Sequence, residues 1–174
     1  LKELDKFQDV DIASIVSIFP ENKFQVITGF GGSFTESTAH LLNQLSKKKR
    51  KLILEAYFGE SGSKYSLTRT HINSCDFSLK NYSYAEVPGD TALHHFSIFE
   101  DEDDIIPLIL DAMTISKDGF KIIASPWTAP PWMKDNGSYV GGKLLPEYYD
   151  TWALFFVKYI DAYFEKGINI WGIT

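Results

Sequence analysis

Hydrophobic positions along the chain switch between a two-residue and a 3.6-residue period, and each switch marks a change from strand to helix. Ile12–Phe19 (IASIVSIF) predicts a strand closed by the turn Pro20-Glu21-Asn22, and Phe24–Thr28 (FQVIT) predicts a second, ending at Gly29-Phe30-Gly31-Gly32. Residues 35–45 read as a helix with Ala39, Leu42 and Leu45 on one face. Ser46 is placed to cap a further helix over 47–58, packed by Leu52, Ile53, Ala56 and Tyr57. After a turn at Gly59–Gly62, Lys64–Thr70 (KYSLTRT) is a third strand. Residues 102–118 are helical, with Ile105, Leu108, Ile109 and Ala112 inward, and Phe120–Ala124 (FKIIA) is the next strand. Pro146 stands where a helix tolerates its missing N–H. From there Trp152, Phe155, Phe156, Tyr159, Ile160 and Tyr163 form an amphipathic stripe, Gly167 ends it, and Ile168–Thr174 (INIWGIT) is a last strand.

After residue 23 the order is therefore β, α, α, β, α, β, α, β. Strands alternating with helices imply parallel pairing through right-handed crossovers. The two long irregular stretches, 71–101 and 125–145, both follow strand ends. That face carries the active site in a (β/α)8 barrel and also binds ligands in a doubly wound sheet, so the pattern fits either. Four strands are half a barrel, with an unpaired edge on each side.

Composition narrows the class. Seventeen Lys and Arg stand against 23 Asp and Glu, a balance that argues against nucleic-acid binding. One cysteine, Cys75, excludes an internal disulfide. No apolar run approaches the roughly 20 residues of a membrane-spanning helix, and no charged-then-apolar leader opens the chain. Aromatics are plentiful, at 13 Phe, 9 Tyr and 4 Trp, which suits both a packed core and a site that stacks on sugar rings.

Several residues invite a chemical reading. Gly29–Glu36 lacks both the G-x-G-x-x-G spacing and a Walker lysine, so its glycines read as aids to a tight turn and close backbone packing. Arg69 near a strand end calls for a carboxylate partner, in either a structural salt bridge or a catalytic site. Asp76 stands at a strand-to-loop transition, as a loop cap or as an acceptor for vicinal sugar hydroxyls. Cys75 has no evident base beside it and reads as a structural thiol. Trp127, held in Ser125-Pro126-Trp127-Thr128-Ala129-Pro130-Pro131-Trp132-Met133, offers a rigid flat face and one N–H donor; Trp132 reads equally as core. Glu36, Glu86 and Glu100 have ready structural explanations. The basic run Lys47–Lys51 reads as a solvated helix face.

Taken together, FQVITGFGGSFTES, YSLTRTHINSCDFSLKNYSYAE, ASPWTAPPWMKDNG and the Trp152 helix leading into INIWGIT resemble glycoside hydrolase family 30, in its glucosylceramidase-like branch. The resemblance runs from about Phe24 to Thr174. It implies the first half, about four strands, of an α/β (β/α)8 TIM barrel over 24–174. Residues 1–23 would supply a strand to an attached β-sandwich. It implies a retaining β-glycosidase for glucosylceramide or a related β-glucoside, secreted or lysosomal, needing no cofactor or metal. Two carboxyls about 5–5.5 Å apart would act as acid/base and nucleophile. Neither family motif occurs in these 174 residues, and the resemblance places both glutamates downstream of Thr174. By the same resemblance Asp76 and Trp127 hold the glucose, Phe77 lines the pocket mouth, and Arg69 supports the nucleophile. His71 departs from the proline of the animal lysosomal enzymes. The remaining half of the barrel is then the expected partner, and the competing reading is a truncated, non-catalytic sugar-binding or interaction protein.

Overall fold

The computed structural model describes residues 16–174. Four strands, β1 (Ser33–Phe34), β2 (Leu67–Ile72), β3 (Lys121–Pro126) and β4 (Gly172–Ile173), form one sheet in the order β1-β2-β3-β4. Every pairing is parallel. Each strand lies beside the one before it, so the sheet winds in a single direction. A doubly wound sheet reverses strand order at a switch point, and this one does not.

The helices match the expected positions closely. Thr35 caps α1 (Glu36–Asn43) by accepting from the Thr38 N–H, and Ser46 caps α2 (Lys47–Phe58) by accepting from the Lys49 N–H. One turn, α3 (Phe99–Glu102), precedes α4 (Ile105–Ile115), whose Ile105, Leu108, Ile109 and Ala112 are all buried. Pro146 opens a 3-10 turn, Pro146–Tyr148, that runs into α5 (Tyr149–Glu165), and Gly167 leaves that helix at φ 80°. Among the described residues no helix is long and apolar enough to cross a membrane.

Three expectations need correction. Phe24–Thr28 is not a strand: it is exposed, and the first strand forms later, at Ser33–Phe34. Alternation in FQVIT is genuine, but no neighbour pairs with it among the described residues. The chain instead joins β2 from Phe30 onward, where the Phe30 carbonyl accepts from the Ser66 and Leu67 N–H groups. Gly31 permits this approach, since a Cβ there would collide with the Leu67 carbonyl. In Ile12–Phe19, residues 16–19 carry no strand and the rest lies outside the described residues. On α2 the inward residues are Leu54 and Phe58, while Leu52, Ala56 and Tyr57 are exposed; the face is set by stacking of Phe58 on Phe34 at 5.6 Å.

The stretch 71–101, without period in the sequence, is ordered by tyrosines. Tyr84 stacks on Phe155 and Tyr159 of α5, at 6.0 and 5.8 Å. The fully buried Asp101 of α3 accepts hydrogen bonds from Tyr82 (3.1 Å), Tyr84 (2.6 Å) and Tyr163 (2.6 Å). These bonds fasten the β2–α3 connection to α5. Burial is the larger influence on this carboxyl, opposed by the three phenol donors and reinforced by the charge of Glu36, and it pushes Asp101 up to about 6. Burial, then the Asp101 charge, keeps the phenols of Tyr84 and Tyr163 protonated well above their usual range.

A folded-state pKa raised above the unfolded value of about 3.9 means that the folded protein binds the extra proton. The resulting stability is fully present below pH about 3.9 and lost as pH rises through about 6. Denaturant melts between pH 4 and 7 should show that decline, and Asp101→Asn, which keeps an acceptor without a charge, should flatten it.

Candidate functional site at the carboxyl ends of β2 and β3

Strand register assembles the site. Arg69 pairs across the ladder with Ile123 and His71 with Ser125. Period two sends Thr68, Thr70 and Ile72 toward the helices, where all three are buried, and turns Arg69 to the opposite face. Ser125 of β3 and Trp127, just past the end of that strand, lie on the same side as Arg69. The Arg69 Nε donates to Ser125 Oγ at 2.8 Å, and its guanidinium lies 4.5 Å from the centre of the Trp127 ring. The expected carboxylate partner is not found: among the described residues Arg69 makes no salt bridge. An aromatic face and a hydroxyl hold it instead, because the strand beside it offers no acid.

Arg69, Phe77 and Trp127 meet around a cleft of about 140 Å³ at the strand ends, with His71 and Cys75 in its wall. Asp76 is the neighbour of Phe77 but does not line the cleft; its carboxylate is exposed, with no hydrogen bond among the described residues. The loop that carries both is pinned to the start of α1. The Ser37 N–H and hydroxyl donate to the Phe77 carbonyl at 3.0 and 2.5 Å, and Glu36 accepts from the Leu79 N–H at 3.2 Å. Phe77 itself remains 58% exposed and Trp127 43%, so both offer free surface at the cleft. Trp132, in contrast, is structural: its Nε1 donates to the Ala85 carbonyl at 2.7 Å and its ring meets Tyr148 edge-on.

Two residues that sequence reasoning undervalued hold the cleft together. His71 is 2% exposed; its Nδ1 donates to the Asn73 carbonyl at 2.6 Å and its Nε2 accepts from the Glu36 N–H at 3.3 Å, which fixes the neutral tautomer. Asn73, fully buried, takes a left-handed φ of 62° that turns the chain sharply at the end of β2. Its Nδ2 donates to the Thr128 carbonyl at 3.1 Å and its Oδ1 accepts from the Tyr84 N–H at 3.0 Å. The residue after Trp127 and the tyrosine loop are thus tied to one amide. An asparagine tolerates left-handed backbone, and that was the available signal.

Cys75 also differs from expectation, since a histidine does stand near it. Burial, the largest influence, pushes its thiol up. The neighbouring His71 ring, the Phe77 N–H at 3.4 Å and the Ser78 hydroxyl together outweigh that and lower it. Both His71 nitrogens are engaged with backbone, so His71 is not free to act as a base, and the thiol keeps a structural role. Glu36, Glu86 and Glu100 are accounted for as expected. They accept from Leu79 N–H, from Ser83 N–H and the Tyr139 hydroxyl, and from Lys80.

A parallel sheet wound in one direction, with an aromatic and cationic site at its carboxyl rim, defines the opening strands of a (β/α)8 barrel. The chain belongs to glycosyl hydrolase family 30: residues 27–174 match the TIM-barrel domain of that family. It is 40% identical to the lysosomal acid glucosylceramidase of Mus musculus over 166 residues, covering 92% of this chain and 32% of that protein. Among solved structures, SrfJ from Salmonella typhimurium superimposes with a TM-score of 0.85 at 38% identity, covering 95% of this chain and 37% of SrfJ. The endo-β1,6-glucanase BT3312 follows at 0.81 and 32% identity, covering 90% and 36%. The chain therefore spans about a third of the length of the relatives it matches.

Stability should respond to Asn73 in a set order. Asn73→Gly keeps the left-handed turn but strands two buried backbone partners, at a cost of about 2 kcal/mol. Asn73→Ala adds about 1 kcal/mol more through its Cβ in that conformation. Urea melts of the three proteins should rank Asn, then Gly, then Ala.

Proposed function

We propose that this chain forms the glucose-holding part of a retaining β-glycosidase acting on glucosylceramide or a related β-glucoside. The observation that carries this reading is the meeting of Trp127, Arg69 and Phe77 around one cleft at the carboxyl ends of β2 and β3. Trp127 receives the sugar, its indole N–H donating to a hydroxyl. Asp76, exposed beside Phe77 and free of hydrogen bonds among the described residues, accepts from sugar hydroxyls. Arg69, neutralised by no acid among the described residues, is the cation that keeps an incoming nucleophile carboxylate ionised. The two glutamates of the reaction come from sequence other than these residues, and these residues alone do not turn over substrate.

The same reading assigns residues 1–23 to a β-sandwich side domain and residues 24–174 to the barrel. β1 pairs only with β2 and β4 only with β3 among the described residues, which favours the remaining barrel strands as partner. Of the two expected locations, secreted or lysosomal, the lysosomal one accords with the name of the mouse relative.

Hydrolysis of an aryl β-glucoside by the full-length protein tests this assignment. Asp76→Ala and Trp127→Ala should each lower kcat/KM by about 10–100-fold while the far-UV circular dichroism is unchanged. Full activity in both variants contradicts the roles given to them.

A further inference from the structure

Asn81-Tyr82-Ser83, in the β2–α3 connection, and Asn136-Gly137-Ser138, between β3 and α5, both carry the Asn-X-Ser pattern that accepts an N-linked glycan. The glycosidase reading uses neither, and the fold treats them differently. A glycan is bulky and hydrated, so the asparagine that bears it must stand at the surface with its amide unengaged.

Asn81 meets both conditions. It is exposed and makes no hydrogen bond among the described residues. The backbone on either side is pinned, since the Leu79 N–H donates to Glu36 and the Tyr82 N–H to Ser74 Oγ at 3.0 Å. Tyr82 itself is 3% exposed and bonded to Asp101. Asn81 is thus the solvent-facing residue of a fixed loop, beside the exposed Leu79 and Lys80. A substituent on its Nδ2 displaces nothing.

Asn136 is exposed too, but its amide is engaged. Its Nδ2 donates to the Val140 carbonyl at 2.9 Å and its Oδ1 accepts from the Ser138 N–H at 3.1 Å. The backbone of Gly142 passes so near that a Cβ there would collide with this amide. A sugar on Nδ2 must share the nitrogen with Val140 and push that backbone aside. These bonds span two to four residues, so the turn also forms early and competes with transfer onto a nascent chain.

We propose that Asn81 is a site of N-linked glycosylation and Asn136 is not, an inference that rests on the secreted or lysosomal reading. The Asn81 amide nitrogen bonds to C1 of an oligosaccharide and the bond from C1 to a lipid-linked diphosphate breaks. The amide proton is lost as the diphosphate leaves, and nothing is oxidised or reduced. The Ser83 hydroxyl of the motif is buried in the folded chain, where it accepts from the Ala85 N–H at 3.1 Å. Transfer therefore precedes folding of this loop, and the glycan ends on the loop that carries Phe77 at the rim.

Expression of the full-length protein in eukaryotic cells tests this, once as its own gene encodes it and once behind a supplied secretory leader. Mass spectrometry of glycopeptides from both forms should show an oligosaccharide on Asn81 and a bare Asn136. Asn81→Gln should remove that glycan and leave aryl β-glucoside hydrolysis unchanged. Ser83→Ala should also leave position 81 bare, although Asn81 is intact. A bare Asn81 in the leader-directed protein, or a glycan on Asn136, overturns the assignment and leaves the location untouched. Glycosylation of the leader-directed form alone, with the native form retained in the cytosol, overturns the location and with it the modification in the cell.

Discussion

One buried amide governs how this molecule presents its site. Asn73 ends β2 in a left-handed turn and reaches in three directions: to His71 through its carbonyl, to Thr128 through its Nδ2 and to Tyr84 through its Oδ1. Two consecutive strand ends and a long connection are thereby fixed to a single residue. A loop following a strand is normally among the least constrained parts of a barrel. Here the rim is set by hydrogen bonds inside a largely buried wall, where each is worth more than at the surface.

From that anchor the order spreads outward. Tyr84, held at its N–H by Asn73, stacks on α5 and sends its hydroxyl to Asp101. Tyr82 and Tyr163 meet the same carboxylate from the loop and from α5. A chain of contacts thus runs from the rim to the outer helix layer without passing through the sheet. Tyr82, Tyr84, Phe155, Tyr159 and Tyr163 belong to this layer, while the largely exposed Trp127 and Phe77 line the cleft together with the buried Phe34. Arg69 completes the arrangement by holding one face of Trp127 through a cation–π contact rather than through an ion pair. The indole is thereby oriented before any ligand arrives, which reduces the ordering cost of binding.

Much of this architecture was legible in the sequence. Helix limits followed from Ser46, Pro146 and Gly167, because caps and breakers act locally and leave a signature within a few residues. Candidate positions at the rim were legible too, since Arg69 and Trp127 stand at strand ends in an α/β order. What could not be read were interactions set by register and depth. Phe24–Thr28 has the alternation of a strand, yet a strand also needs a neighbour, and alternation does not supply one. Arg69 called for a carboxylate because an unpaired charge is costly, and the answer was an aromatic ring four residues past its ladder partner Ile123, a contact only the β2–β3 register reveals. The burial of Lys134 could not be read either, because nothing in PPWMKDNG shows that the following loop folds back over it.

The central claim is that sugar is held at Trp127. The tryptophans of these residues, Trp127, Trp132, Trp152 and Trp171, each give one indole N–H signal, and once these are assigned by substitution, nitrogen–proton correlation spectra of the full-length protein are a direct test. On titration with a β-glucoside the Trp127 indole signal should move with saturable dependence on ligand. The Trp132 signal, engaged with the Ala85 carbonyl, should stay in place. A stationary Trp127 signal at saturating ligand, or movement confined to the other three, would contradict the account.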